Sequence, residues 1–166
     1  MAAFNFIPYM KSIAVSLKEL QHTDNDKHFH RIQSLPGMEE LLSNTNFITG
    51  YQLLVLDRKS GRLDDSSRSD NLLDRKFNTF YVVKSVEQGN FDARQTAIEG
   101  CETIVRKILS KLFKDKWDNT AGLHDLDRSS VTYDTIGPFG QNFFGLMVTF
   151  SLLNTAGISY DTDDWA

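Results

Sequence analysis

The sequence is poor in cysteine, proline and glycine, and it has no long hydrophobic run. It contains one cysteine, three prolines and ten glycines in 166 residues. A single cysteine, Cys101, cannot form an internal disulfide, so a disulfide-stabilised scaffold is excluded. So few prolines and glycines exclude collagen-like and proline-rich chains. The longest apolar stretch, 143–153, is interrupted by glycine, threonine and serine. It is far short of the roughly 20 residues of a membrane helix, so we expect no membrane partner.

The charge balance is acidic. Eighteen Lys and Arg stand against 22 Asp and Glu, which gives a net charge of −4. Nucleic-acid-binding proteins are usually basic, so we expect no direct nucleic-acid recognition. With 40% hydrophobic and 24% charged residues, the composition predicts one globular domain over residues 1–166. The first 20 residues lack the basic segment and cleavage site of a signal peptide, so we expect a cytoplasmic location.

Two amphipathic helices are predicted from apolar residues that recur at three- and four-residue steps. They cover about residues 5–20 and 91–115. Asn90 or Asp92 is expected to cap the start of the second helix. Gly100 in its middle indicates close packing against a neighbour, such as a strand, with an exposed position as the alternative.

Four strands are predicted, in pairs on either side of the long helix. They cover residues 47–57, 77–87, 131–136 and 142–154. Residues 22–34 are expected to be a surface loop, followed at most by a helical turn at 38–43, because Pro36-Gly37 breaks any helix. The order α-β-β-α-β-β predicts an α+β domain, with both helices on one face of an antiparallel sheet of about four strands.

Two charged segments stand apart from this framework. Residues 58–76 make a connection of unusual length, expected to be a long β-hairpin or an unordered loop. Residues 155–166 form an acidic arm whose tryptophan suits an interface, although docking on its own domain or disorder are alternatives. Mixed charges of this kind are typical of a solvated loop or a contact surface. The candidate interface residues are Arg58, Lys59, Arg62, Asp64, Asp65, Arg68, Asp161, Asp163, Asp164 and Trp165.

A histidine-rich segment is the best candidate for a metal site. Its spacing puts two histidines on one side of a strand, a pattern that metal sites use. A solvated loop is the favoured interpretation, because a structural site normally needs four well-placed ligands. The residues are His22, Asp24, Asp26, His28 and His30.

Other chemical candidates have plain structural explanations. One hypothesis makes Cys101 a catalytic nucleophile with His124 as its base. The favoured interpretation is a buried cysteine that packs as a small hydrophobic residue. The acids of the long connection lack the spacing of a calcium loop; they are Asp57, Asp64, Asp65, Asp70 and Asp74. The C-terminal end of the second predicted helix is basic, and its favoured interpretation is a solvated helix face. Its lysines are Lys107, Lys111, Lys114 and Lys116. Phosphate-binding loops and the G-x-S-x-G motif are missing from the sequence. We therefore predict no catalytic site, cofactor or metal.

The organisation resembles the small proteins that complete bacteriophage tails, namely tail terminators and related tail-to-head connectors. The resemblance is carried by Phe77–Val83, by Gly89–Asp92 opening the long helix, by Phe144–Leu153 and by the polar tail ending in Asp164-Trp165. It implies a non-enzymatic structural protein whose copies form a ring, often of six subunits. That ring would cap the tail tube and meet head or neck proteins.

The resemblance also implies where the protein acts and how it makes contact. Segment 58–76 would be an extended hairpin or loop that contacts neighbours or the tube. The protein would be found in the bacterial host cytoplasm during assembly and then in the virion or phage-like particle. No catalytic residue is carried over.

Two other functions fit the residues. One is a small cytoplasmic α+β adaptor or binding module unrelated to phage. The other is a metal-dependent hydrolase that uses His22, His28 and His30 with nearby carboxylates. Elemental analysis of the purified protein tests the hydrolase, because it requires a stoichiometric metal.

Overall fold

One mixed β-sheet organises the chain. The computed structural model describes residues 4–44, 49–65, 72–158 and Asp163. Within them the elements follow in this order: α1 (Phe6–Ser16), β1 (Phe29–Ile32), α2 (Leu35–Asn44), β2 (Tyr51–Leu56), β3 (Ser60–Asp64), β4 (Leu73–Ser85), α3 (Phe91–Trp117), a short 3₁₀ helix (Leu123–Asp125), β5 (Leu126–Phe139) and β6 (Phe143–Thr155). The predicted α+β class is confirmed. None of the helices described is long and apolar enough to cross a bilayer.

The predicted sheet of about four antiparallel strands, in the order α-β-β-α-β-β, is wrong in detail. The described residues form six strands, with the spatial order β1-β2-β4-β6-β5 and with β3 paired to β4. β1 runs parallel to β2, with Phe29 beside Leu53, and the other pairs are antiparallel. β1 lies in the segment 22–34 that was expected to be a loop. A strand of four residues is too short to be recognised by its period.

β4 occupies the centre of the sheet. All 13 of its residues, Leu73–Ser85, pair with β6 along one edge. The other edge is shared, because Phe80–Lys84 pair with β2 and Leu73–Phe77 pair with β3. Residues 57–59 link the two partner strands. We call the pairing of Ser60–Asp64 with Leu73–Phe77 the charged hairpin.

The main core lies between the sheet and two helices. α1 contributes Met10 and Ile13 to it, and α3 contributes Ile104, Ile108 and Leu112. The sheet side comes from alternate positions of the central strands: Leu53, Val55, Phe80, Val82, Leu146, Val148 and Phe150. Alternation along a strand sends every second side chain to the same face, so α1 and α3 share one face of the sheet.

α2 packs on the opposite face. Its Met38 and Leu42 are buried in a second cluster with Leu54, Tyr81 and Val83. The expected helical turn at 38–43 is therefore a helix of ten residues. The expectation that Pro36 would break a helix was wrong, because Pro36 lies in the first turn, where its missing N–H needs no partner.

Asn90, one of the two predicted capping residues, caps the start of α3. The side-chain oxygen of Asn90 accepts a hydrogen bond from the Ala93 N–H at 2.9 Å. Asp92 lies inside the first turn of α3 and is not the cap. Its acidic side chain is favourable there, because the helix dipole is positive at that end.

Candidate functional site

A groove opens where the charged hairpin meets the start of α1. Its volume is about 510 Å³. It is lined by residues 4–7 before and within α1, by residues 56–61 between β2 and β3, and by residues 74 and 76–78 of β4. The change of partner strand along β4 occurs beside residues 57–59, so the groove lies next to the break in that edge of the sheet. We call it the hairpin groove.

Aromatic residues anchor the apolar wall of the hairpin groove. The Phe6 ring packs edge-on against Phe150, with ring centres 5.7 Å apart. The Phe4 ring packs in the same way against Tyr9 at 5.3 Å. Phe150 is fully buried in the main core. The apolar wall is therefore attached to the core, and a ligand would find it already formed.

The charged rim of the hairpin groove is not balanced. Lys76 lies 3.5 Å from Asp74, and Asp57 pairs with Arg31. Arg58 and Lys59 are exposed, and within the described ranges no carboxylate makes an ion pair with either one. The rim therefore presents two uncompensated positive charges.

One residue that lines the groove has a buried hydrogen-bond donor without a partner in the described part of the chain. The side-chain nitrogen of Asn78 is buried and finds no acceptor among the residues that the structure describes. A buried polar group without a partner costs on the order of 1–3 kcal/mol.

The predicted interface residues fall in three places. Arg58 and Lys59 line the hairpin groove. Arg62 and Asp64 lie on β3, with 3.7 Å between their charged groups. Asp65 follows β3 and is exposed, as is Asp163. The remaining predicted residues lie outside the described ranges: Arg68, Asp161, Asp164 and Trp165.

Arg75 ties the charged hairpin to the far side of the sheet. Its Nη1 donates hydrogen bonds to Asp127 at 2.7 Å and to the Ser151 hydroxyl at 3.0 Å. Its Nη2 lies 3.8 Å from Asp64. Hydrogen bonds from Ser129 and from Arg75 lower the pKa of Asp127. These contacts give Asp64 and Asp127 a structural role.

The histidines join β1 to β2. The His28 N–H donates to His22 Nδ1 at 3.1 Å, and His28 Nδ1 lies 2.9 Å from the Tyr51 carbonyl oxygen. His30 Nε2 lies 3.1 Å from the side-chain oxygen of Gln52. Burial lowers the pKa of His22 and of His30. Across the described part of the chain, no three His, Cys, Asp or Glu side chains are grouped to hold a metal ion.

The acids of the long connection do not form one cluster. Asp57 pairs with Arg31, Asp64 with Arg62 and Arg75, and Asp74 with Lys76. Asp70 lies outside the described residues. Asp57, Asp64 and Asp74 thus each have an oppositely charged partner, and Asp65 is exposed.

The cysteine is part of the main core. Cys101 is fully buried. Burial raises the pKa of its thiol to about 12, so the thiolate needed for nucleophilic attack is scarce at neutral pH. His124, the base considered with it, is exposed and lies 3.0 Å from Asp125.

The basic end of α3 is neutralised by its own surroundings. Lys107 pairs with Glu19, Lys114 with Asp118, and Lys111 with Asp115 at 2.6 Å. Lys116 donates to the His124 carbonyl at 2.7 Å. These bonds favour the interpretation of the four lysines as a solvated helix face.

Sequence reasoning missed the residues of the apolar wall of the groove and its polar neighbour Asn78. Phe4, Phe6 and Ile7 come from the N-terminal segment, and Asn78 comes from β4 about 70 residues later. The pair of phenylalanines just before the first helical stripe was the one available signal. Trp117, which is 87% exposed at the end of α3, was also not singled out.

Two comparisons with known proteins found no match. No protein-family model matches the chain, and the search of curated proteins finds no significant match.

Proposed function

We propose that the protein is a non-enzymatic structural protein that assembles through protein–protein contacts. The hairpin groove carries this proposal, because it joins two uncompensated cations to an apolar wall. Protein interfaces combine an apolar centre with a polar rim, and complementary charge selects the partner. Among the described residues, the catalytic candidates Cys101, His22, His28 and His30 take part in structural contacts.

The setting we propose is a phage or phage-like tail. It is supported by the resemblance in element order, from the strand at 77–83 through the long helix to the closing strand. In that setting, copies of the chain close into a ring that completes the tail tube and meets head or neck proteins. A contact between two different surfaces on successive copies forms a ring when the rotation between copies closes by cyclic symmetry. A specific contact of this kind buries about 800 Å² on each partner.

The test is the molar mass in solution. Light scattering after size-exclusion chromatography, over a wide range of concentration, is expected to shift from the 18.9 kDa monomer towards a closed oligomer. Negative-stain electron microscopy of the largest species is expected to show rings of uniform subunit number. A strict monomer at every concentration would count against self-assembly and favour a monomeric adaptor.

A further inference from the structure

The positive rim of the hairpin groove has the charge to bind an acidic segment. Arg58 and Lys59 lie side by side, and no carboxylate of the described residues pairs with them. Lys107, Lys111 and Lys114 on α3 each have an acidic partner. An incoming carboxylate therefore gains more at the groove than at the basic end of α3, where it would compete with an existing ion pair.

The apolar wall of the groove has room for an aromatic anchor. Phe4, Phe6 and Leu56 line it, and the volume of about 510 Å³ exceeds that of one aromatic side chain. Buried aromatic residues supply much of the binding energy at protein interfaces.

The C-terminal arm has the matching composition. Residues 159–166 contain three aspartates and two aromatic residues, without lysine or arginine. β6 ends at Thr155 opposite Leu73, and the Ala156 N–H donates to the Leu72 carbonyl at 2.8 Å. The arm thus leaves the sheet beside the far end of the charged hairpin. Ile158, which directly precedes residues 159–166, is 67% exposed.

We propose that the hairpin groove of one copy binds the outer part of the C-terminal arm, residues 159–166, of a second copy. The arm aspartates pair with Arg58 and Lys59, and Trp165 packs on the apolar wall. The choice of a second copy rests on the proposed function. A contact between two different surfaces, the arm and the groove, is the kind that closes a ring.

A second basic cleft is a weaker site for the arm. It lies between the end of α3 and the start of β5 and has a volume of about 330 Å³. Its Lys116 already donates to the His124 carbonyl, and the Arg128 guanidinium lies 5.0 Å from the centre of the Phe113 ring. Binding there would break existing contacts, whereas Arg58 and Lys59 have no ion pair among the described residues to lose.

A charge-swap experiment on the full chain tests the proposal. The groove variant carries Arg58→Glu and Lys59→Glu, and the arm variant carries Asp161→Lys, Asp163→Lys and Asp164→Lys. Each variant alone is expected to weaken self-association about tenfold or more, measured by sedimentation velocity across concentration. We expect association to recover in the chain with all five substitutions, because its lysine arm meets a glutamate groove. We expect the same recovery in an equimolar mixture of the two variants. Trp165→Ala is expected to weaken it through the apolar contact alone.

A matched control separates docking from net charge. Lys11→Glu with Lys27→Glu changes the charge by the same amount at exposed sites away from the groove, and it is expected to leave association unchanged. Circular dichroism and thermal unfolding check that each variant folds. A control that weakens association as much as the groove variant would overturn the proposal, as would a five-substitution chain that fails to recover.

The remaining outcomes separate the inference from the proposed function. If the wild type associates and both charge variants associate equally well, the arm–groove contact is wrong while assembly stands. If the wild type is a monomer at every concentration, both proposals fail. If the two variants alter only the thermal stability of a monomer, the arm binds its own groove and the second-copy contact is wrong.

Discussion

The hydroxyl of Tyr51 on β2 fills the space that a side chain on Gly100 of α3 would need. A Cβ atom at Gly100 would lie 1.9 Å from Tyr51 Oη and 2.7 Å from Cζ. Glycine in the middle of a helix costs about 1 kcal/mol relative to alanine. The close approach of helix and strand at this point explains why the chain has glycine there, and it confirms the packing that the sequence predicted.

Gly100→Ala is therefore expected to destabilise the protein by about 1–3 kcal/mol, because the Tyr51 ring must move. Combined with Tyr51→Ala, the same substitution is expected to be neutral or to gain up to about 1 kcal/mol of helix propensity. Chemical denaturation of the two single variants and the double variant measures this coupling. Equal losses with and without Tyr51 would show that the ring is not the obstacle.

Asp115 predicts a specific dependence of stability on pH. Tyr9 donates a hydrogen bond to its Oδ2 at 2.7 Å, and Lys111 donates to Oδ1 at 2.6 Å. Burial alone would raise the pKa of Asp115, but the hydrogen bonds from Lys111 and Tyr9 outweigh burial and lower it. The carboxylate therefore stabilises the fold above its unfolded pKa of about 3.9. That contribution is lost as pH falls through the lower, folded pKa.

Asp115→Asn is expected to cost about 1–3 kcal/mol at pH 7. The cost is expected to shrink as pH falls below about 4, since the wild-type carboxyl is then protonated. Urea denaturation at a series of pH values gives the difference between the two proteins. Asp118→Asn, in an exposed pair with Lys114, is the control, and it is expected to cost much less. A cost of Asp115→Asn that stays constant down to pH 2 would contradict this account.

Cys101 is expected to resist thiol reagents while the protein is folded. With a pKa raised to about 12 by burial, only about one thiol in ten thousand is ionised at pH 8. Labelling by a thiol reagent should therefore follow the rate of unfolding and become fast in denaturant. Ser110→Cys, on an exposed position of the same helix, supplies a fast-reacting reference thiol. Fast labelling of native Cys101 would show that the core opens there.

The sequence predicted the elements whose signal is local. The apolar stripe of α3 predicted a helix over 91–115, and the helix observed is Phe91–Trp117. The strand predicted over 142–154 is observed as β6, Phe143–Thr155, and its Leu146, Val148 and Phe150 lie in the main core. A period that continues over many residues leaves few other structures that bury the same side chains.

The missed elements depend on distant partners. β1 is four residues long and contains a histidine and an arginine, so its strand character comes from pairing with β2. α2 was undervalued because proline was treated as a helix breaker, although it is favourable in a first turn. The sequence predicted Arg58 and Lys59 at the candidate site through their charge. It did not predict the groove, because Phe6 and Asn78 meet only after the sheet has formed.

The position of β6 has a consequence for synthesis of the protein on the ribosome. β6 is the last strand described in chain order, yet it lies between β4 and β5 and pairs with every residue of β4. At about 5–20 residues per second, β4 waits roughly 4–14 s for this partner to be made. During that time the nascent chain presents an open strand edge and the bare apolar stripe of α3, both of which promote aggregation. One edge of β4 therefore stays unpaired until β6 has left the ribosome, and a chain cut short before residue 143 never gains that partner.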